Sequence, residues 1–371
     1  MAELFEESSI SSMTLPNRFV RSATWEGLAD MSGRVTPGLI DRQTELARGG
    51  VGLIITGHTY VSDEGKAGSW QLGVYGDDLI PGLAKMTEAV HREGAKIVMQ
   101  LAHAGCRGAV HLTGKMPIGP SEIRQDNKTS CREMQGPDFE VLLRAFAEGS
   151  RRAREAGFDG VQVHAAHGYL LSQFLCPAFN QRSDRYGGDI FNRARLLLEV
   201  CQAIRETVGS DFPVMVKINS EDFLEKGMTV DEMLRVAEML EKAGIDAVEL
   251  SGGTFYSAPY LPSRTTRITS EADEVYYRDA AVRFKGAVRT PLVLVGGIRS
   301  YPVAEKLVQE GTADYVALCR PLISEPDLVR RWRLGDRRPS DCISDNGCFK
   351  PAFKGKGISC VTKQRRAKKA D

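Results

Sequence analysis

Two histidines and a tyrosine share one short stretch, Val163–Leu171 (VHAAHGYLL), as His164, His167 and Tyr169. Two imidazoles on one loop can donate hydrogen bonds to a carbonyl oxygen while a phenol supplies a proton nearby. The spacing also admits a metal, since H-x-x-H can provide two zinc ligands, with a third drawn from His103 or His58. His58, His103 and His164 fall at or just past the ends of expected strands, and His167 lies one step further. Taken singly, each reads as a hydrogen-bonded rim histidine. Four of the chain's six histidines converging on one place read as a site.

A second cluster suits an anion. Gly296 and Gly297 stand in LVLVGGI, and Cys319, Arg320 and Pro321 in YVALCRPL. Bare backbone N–H groups at such turns can hold a phosphate, and Arg320 adds a forked donor. The plain alternative is a pair of tight turns that need glycine for conformation alone. Gln100 and Lys217 end two further apolar runs. A lysine inside VMVKI is costly to bury without an anion, so an internal partner among Glu221, Asp222 and Glu249 is one reading. The other is a positive charge held against an electron-rich ring.

These residues need elements to position them. From residue 17 to 333, β-branched runs alternate with amphipathic helical patterns. The expected strands are Phe19–Ala23, Gly52–Thr56, Lys96–Leu101, Gly160–His164, Pro213–Ile218, Ala247–Leu250, Leu292–Val295 and Tyr315–Leu318. The expected helices are Pro37–Arg48, Leu79–Glu93, Phe139–Ala156, Phe191–Val208, Val230–Ala243, Tyr276–Ala287, Tyr301–Gln309 and Asp327–Leu334. Gly49, Gly94, Gly157, Gly209, Gly244 and Gly311 close helices just before strands, as left-handed caps require. Eight strand–helix pairs predict an α/β TIM (β/α)8 barrel, whose chemistry lies in the loops after the strands. No G-x-G-x-x-G opens a helix after a strand, so a Rossmann domain is not expected. The division expected is a barrel over residues 1–335 and a C-terminal extension over 336–371.

A formal net charge of +1, with 26% charged residues, gives no electrostatic reason to expect nucleic acid or an anionic membrane as partner. No apolar run approaches the roughly 18 residues of a membrane span, and the N-terminus is acidic. The basic run Lys363–Lys369 reads as a solvated tail. Of eight cysteines, Cys106, Cys131, Cys176, Cys201 and Cys319 are scattered, which predicts a reduced, cytoplasmic protein.

Four segments together resemble the Old Yellow Enzyme family of NADH:flavin oxidoreductases, over roughly residues 4 to 335. They are Leu15–Ala23 (LPNRFVRSA), Gln100–Gly105 (QLAHAG), VHAAHGYLL, and Asn180–Arg193 (NQRSDRYGGDIFNR). The resemblance implies FMN at the barrel mouth, its phosphate held by Gly296, Gly297, Cys319 and Arg320. It places Ser22, Ala23, Thr24, Gln100 and Lys217 around the ring, with Trp25, His58 and Gly253 also on the cofactor side. It gives His164 and His167 to the carbonyl oxygen of an α,β-unsaturated small-molecule substrate and Tyr169 to protonation of its α-carbon. NADH or NADPH would be the reductant by ping-pong, and homo-oligomers are expected.

Departures accompany the likeness. Trp25, beside Thr24, stands where many relatives carry Thr or Cys near the flavin. Glu26–Gly27 replaces a substrate-side Tyr of some members, and His58 replaces a small residue. The tail resembles the linker of the 2,4-dienoyl-CoA reductase branch, where four cysteines hold an iron–sulfur cluster. Here only Cys342, Cys348 and Cys360 remain, with Asp345 at the second position, so a metal-free vestige is expected. The long loop Gly253–Asp273, with Arg264 and Arg267, reads either as a lid meeting nucleotide phosphates or as a surface decoration. Two further readings stand beside the ene-reductase: a metal-dependent barrel hydrolase, and a flavin-binding protein without turnover.

Overall fold

Eight parallel strands close on themselves in this computed structural model, which describes residues 2–126 and 128–370, side chains of 367–370 excepted. They are β1 (Phe19–Arg21), β2 (Leu53–Ile55), β3 (Lys96–Ala102), β4 (Gly160–Ala165), β5 (Val214–Asn219), β6 (Ala247–Ser251), β7 (Leu292–Val295) and β8 (Tyr315–Leu318). Neighbours pair in sequence order, β8 returns to β1, and all of these pairings are parallel. The outer ring holds α1 (Pro37–Arg48), α2 (Ile80–Arg92), α3 (Gly136–Glu155), α4 (Arg195–Val208), α5 (Val230–Lys242), α6 (Arg278–Ala287), α7 (Tyr301–Gln309) and α8 (Leu328–Arg333). The expected TIM barrel is therefore present, strand for strand.

Strand periodicity fixes what fills it, because every second residue faces the interior. Low in the barrel, Val20, Leu53, Val98, Met215, Ala247, Val293 and Ala317 form an apolar plug. Below them a hairpin of Ser8–Ile10 and Met13–Leu15 seals the end, and Tyr315 donates to the Ser9 carbonyl at 2.9 Å. Two residues further along the same strands the interior turns polar: Ser22, Gln100, Lys217 and Glu249 are all buried. An apolar floor under a polar mouth is how the chain assigns its two ends.

Several boundaries differ from expectation for identifiable reasons. Gly94, Gly157, Gly209, Gly244 and Gly311 adopt positive φ, but Gly49 does not, and Gly50 at φ 91° takes that role. Gly49 is glycine because the Pro326 carbonyl lies where its Cβ would sit. The expected helix Phe191–Val208 is two pieces, Ile190–Arg193 and Arg195–Val208, which meet at Ala194. After β3 the chain makes an excursion of three short strands, Ile118–Gly119, Ile123–Gln125 and Lys128–Glu133. That excursion corrects the expectation of wholly reduced cysteines. It brings Cys131 against Cys106, and the two form a disulfide with Cα atoms 5.1 Å apart. The remaining six cysteines are free. No described helix is long and apolar enough to cross a membrane.

Trp332 on α8 closes the outer layer where the ring of helices meets its start. It is 1% exposed and lies 5.7 Å from the Phe19 ring and 5.9 Å from that of Tyr301. Its Nε1 donates to the Arg338 carbonyl at 3.0 Å, tying the following segment to the barrel. Trp332→Ala should therefore cost about 3–5 kcal/mol. Urea unfolding should show this as a lower midpoint with an unchanged slope.

Candidate active site

The mouth is built on a buried ion pair. Lys217 of β5 and Glu249 of β6 are register partners, and Lys217 Nζ lies 2.9 Å from Glu249 Oε1. Of the three acids expected as partners, Glu249 is thus the one used. Lys217 Nζ also donates to Ser22 Oγ at 2.9 Å, and Ser22 Oγ to Glu249 Oε1 at 2.5 Å. Gln162 Nε2 donates to the other carboxylate oxygen at 2.9 Å, and Gln100 Nε2 to Gln162 Oε1 at 2.7 Å. The chain Gln100–Gln162–Glu249–Lys217–Ser22 crosses the barrel from β3 to the exit of β1. Charges this deeply buried persist only when paired and hydrogen-bonded, so the network holds each head group in place. Glu249 and Gln162 carry no signal in the sequence beyond being polar inside apolar strands.

Above this layer stand the histidines. His164 and His167 have ring centroids 5.2 Å apart, and His164 and Tyr169 are likewise 5.2 Å apart. His167 takes φ 67°, and its Nε2 pairs with Ser251 Oγ at 2.8 Å, which fixes the ring. His164 Nδ1 is buried and has no partner. Burial lowers both histidines well below 6.5, helped by the Lys217 charge. They are neutral hydrogen-bonding rings at neutral pH. Tyr169 is raised to about 12 by burial, with Arg107 pulling the other way. His58 joins this group, its ring stacked on Tyr169 at 5.2 Å.

His103 does not join it. Its ring packs where a Cβ on Gly65 would sit, and its Nδ1 accepts from Gly105 N–H at 3.1 Å. One of the two residues considered as a third zinc ligand is thereby turned away, and the other, His58, stacks on Tyr169 with its Nε2 facing the phenol oxygen. Among the described residues no three His, Cys, Asp or Glu side chains gather to hold a metal ion. The hydrolase reading accordingly finds no support in this arrangement.

A cleft runs from Ser22, Ala23, His167 and Lys217 along β7 and β8 to Gly296, Gly297, Arg299, Cys319 and Arg320. Gly296 and Gly297 have φ 126° and 79°, and Tyr276 and Tyr277 pack where their Cβ atoms would go. The glycines therefore serve both conformation and close approach. Arg299 lines the cleft with a buried Nε that has no partner. It follows the glycine pair by two residues, and that proximity is the signal by which sequence reasoning could have found it. Arg320 Nη1 donates to the carbonyls of Arg264 (2.5 Å) and Ser344 (3.2 Å) and to Asn346 Oδ1 (3.0 Å). The partnerless Arg299 Nε and the His167 ring line a cleft that also holds Lys217, and the partnerless His164 Nδ1 lies beside His167, an arrangement that fits an elongated ligand with an anionic end and a flat polar ring.

Three more residues expected on the cofactor side, Thr24, Trp25 and Gly253, are not among those that line this cleft. Thr24 Oγ1 faces Cys319 Sγ at 3.1 Å and donates to the Ser22 carbonyl at 3.0 Å. Trp25 leans away, its ring 5.4 Å from Phe353 of the tail. Gly253, at φ 76°, anchors the following loop and leaves room for the Tyr260 carbonyl. In that loop Arg264 is buried against the rings of Phe223, Tyr260, Tyr276 and Tyr277 at 4.7–5.1 Å, while Arg267 is exposed. Arg264 thus serves as an anchor for the loop, a role given by neither of the two readings, phosphate contact or surface decoration, that its sequence left open.

Sequence reasoning also passed over Arg21, which is buried with Glu26 at 2.8 Å and donates to the Cys319 carbonyl. The tail seals this side: Ile358 N–H donates to the Glu26 carbonyl at 2.8 Å, and Ser344 and Phe349 line the cleft. Cys342, Cys348, Cys360 and Asp345 face one small cavity there. Burial raises Cys342 and pushes Cys348 up to about 12, and Asp345 is taken up by Gly347 N–H and Thr362. These residues do not fit an iron–sulfur cluster.

A match to the family described as NADH:flavin oxidoreductase / NADH oxidase spans residues 3–338. The chain is similar to an NADH oxidase of Thermoanaerobacter brockii, 38% identical over 353 residues that cover 93% of this chain and 53% of the relative. It is also similar to an NADPH dehydrogenase of Halalkalibacterium halodurans, 35% identical over 333 residues covering 90% of this chain and 94% of that one. A solved 2-naphthoyl-CoA reductase in complex with 2-naphthoyl-CoA superposes with a TM-score of 0.88 at 29% identity, over 100% of this chain and 58% of that one. The chain spans about half the length of the first of these relatives. The closed parallel barrel and the match over residues 3–338 together define a class, the parallel barrels of the flavin oxidoreductase type. Within that class the chain belongs to the NADH:flavin oxidoreductase / NADH oxidase family, the Old Yellow Enzyme family that its motifs resemble.

Removing one partner of the Lys217–Glu249 pair strands a buried charge. Lys217→Met should destabilise by about 3–5 kcal/mol, and adding Glu249→Leu should recover much of that loss. Denaturant titration of the three proteins checks the order. The lowered histidines set a pH dependence whose sign follows from linkage. His58 and His103 sit at about 4 folded and 6.5 unfolded, with His164 and His167 lowered too. The unfolded chain binds these protons first, so stability is full above pH 6.5 and falls as pH drops toward 4. A melting temperature flat across that window would contradict it, and His103→Gln should reduce the slope.

Proposed function

We propose that this barrel reduces the activated C=C bond of α,β-unsaturated carbonyl compounds with hydride drawn from NADH or NADPH. The observation that carries the reading is the buried, partnerless Nδ1 of His164 beside His167 and Tyr169, above the Lys217 layer. FMN, when bound, would supply the hydride chemistry that links nicotinamide to the unsaturated substrate. Gly296, Gly297, Arg299 and Arg320 would hold its phosphate, and Ser22, Ala23, Gln100 and Lys217 its ring.

His164 and His167 hold the substrate's carbonyl oxygen. Being neutral, they bind by hydrogen bonding, and two fixed donors stabilise the negative charge that builds there. Tyr169 gives its proton to the α-carbon. Phe255, with its ring 5.5 Å from Tyr169 and Arg107 stacked on it at 4.0 Å, forms the outer wall and favours flat apolar substrates. Nicotinamide and unsaturated substrate use the same mouth in turn, which gives ping-pong kinetics. The loop after Gly253 would serve as a lid over that mouth, with its exposed Arg267 meeting nucleotide phosphates.

The test begins with the visible spectrum of the purified protein. Flavin bands should bleach with NADH or NADPH in the absence of oxygen and return with an enone. A yellow protein that never bleaches would be a flavin binder without turnover. A colourless protein that takes up no added FMN would overturn the reading altogether. Tyr169→Phe should slow enone reduction roughly 100-fold while flavin reduction by nicotinamide stays near the parent rate. Equal losses in stopped-flow traces of both half-reactions would remove Tyr169 as the proton donor.

A further inference from the structure

The phenol assigned above as proton donor has one polar side-chain partner among the described residues. His58 Nε2 lies 3.4 Å from Tyr169 Oη, with the two rings stacked 25° from parallel. The contact is built from both ends. His58 follows β2 through Gly57, which passes so close to the Thr24 carbonyl that a Cβ there would meet it at 2.6 Å. The His58 carbonyl accepts from Gln71 Nε2 at 2.9 Å, fixing the backbone that carries the ring. Tyr169 is held by its own N–H on the Ala166 carbonyl at 3.3 Å and by Phe255 at its edge. Two rigid supports from opposite sides of the mouth therefore bring an imidazole to a phenol.

Direction matters in such a pair. If the phenol donates to the imidazole, its proton points away from the substrate. If the imidazole donates from Nε2, the phenol's O–H is free to face the α-carbon, and the oxygen it leaves behind already has a donor. We propose that His58 is the positioning residue that sets the direction of Tyr169's proton and stabilises the tyrosinate formed when that proton leaves. The inference rests on the reading of Tyr169 as the proton donor.

In the step itself, the Tyr169 O–H bond breaks as a C–H bond forms from the electron pair at the α-carbon. The tyrosinate then takes a proton from solvent water once product has left. His58 stays a neutral ring, its pKa lowered to about 4 by burial, and a neutral imidazole is too weak an acid to give up its one N–H in this step. At 3.4 Å the bond is at the long end, and catalytic hydrogen bonds commonly tighten only in the substrate complex.

The experiment compares His58→Phe, His58→Gln and Tyr169→Phe in the FMN-loaded protein. The quantity is the ratio of enone-reduction rate to nicotinamide-driven flavin-reduction rate. His58→Phe, which keeps the stacking and loses the donor, should lower that ratio roughly tenfold or more. His58→Gln, which keeps an N–H donor, should recover most of it. A second readout needs no turnover: in histidine-labelled protein, 15N spectra should show His58 as the neutral Nε2–H tautomer, and Tyr169→Phe should shift that signal. An unchanged ratio in His58→Phe while Tyr169→Phe is slow overturns the inference alone. So does a His58 found as the Nδ1–H tautomer and indifferent to Tyr169→Phe. An unchanged ratio in Tyr169→Phe overturns the proton-donor reading and this inference with it.

Discussion

Everything polar at the mouth depends on one pairing, the lysine of β5 against the glutamate of β6 in the barrel's interior. Adjacent parallel strands in fixed register set the two side chains opposite each other. Without Glu249, Lys217 would be a buried cation with no counter-charge. Without Lys217, the carboxylate would pull Ser22 and Gln162 toward itself. Because both are present, the hydrogen bonds radiate outward to β1, β4 and β3, and the floor of the cleft becomes rigid. The same positive charge helps keep His164 and His167 neutral. One ion pair thus fixes the platform and the protonation state of the groups above it.

The barrel supplies that register by a simple division of labour along each strand. Residues low on the strands are apolar and make a floor sealed by the N-terminal hairpin. Residues two places further are polar and have partners only because the strands are neighbours. The loops after the strands then add His58, His167 and the glycine pair. Strand ends are precise supports and loops are looser ones, which explains why His167 and Tyr276 are each held by an additional contact.

What the sequence makes legible follows from how local each signal is. Helices α1 and α7 match expectation residue for residue because their apolar spacing, Pro starts and ends lie within one segment. His164, His167 and Tyr169 are readable for the same reason, being contiguous. Lys217 is readable as a buried charge, but its partner is settled only by strand register, a non-local fact. The excursion after β3 and its Cys106–Cys131 pairing have no periodic pattern, since their short strands pair only with one another. His103 looked like a mouth histidine because it sits one residue beyond β3. The tight turn at Gly65 and Gly105 draws its ring down instead. Arg264 carried the right charge for a nucleotide, yet four aromatic rings from three separate segments claim it.

The segment after α8 holds a consequence of a different kind. It is synthesised after β8, so the barrel can close before the segment reaches its seat against Glu26, Arg299 and Arg320. Until then the end of the cleft near Arg299 and Arg320 lacks the wall supplied by Ser344 and Phe349. This end of the cleft thus stays open while the barrel forms, and a segment that follows the barrel in the chain shuts it. What such a cleft retains is then set by the order of the chain as well as by affinity.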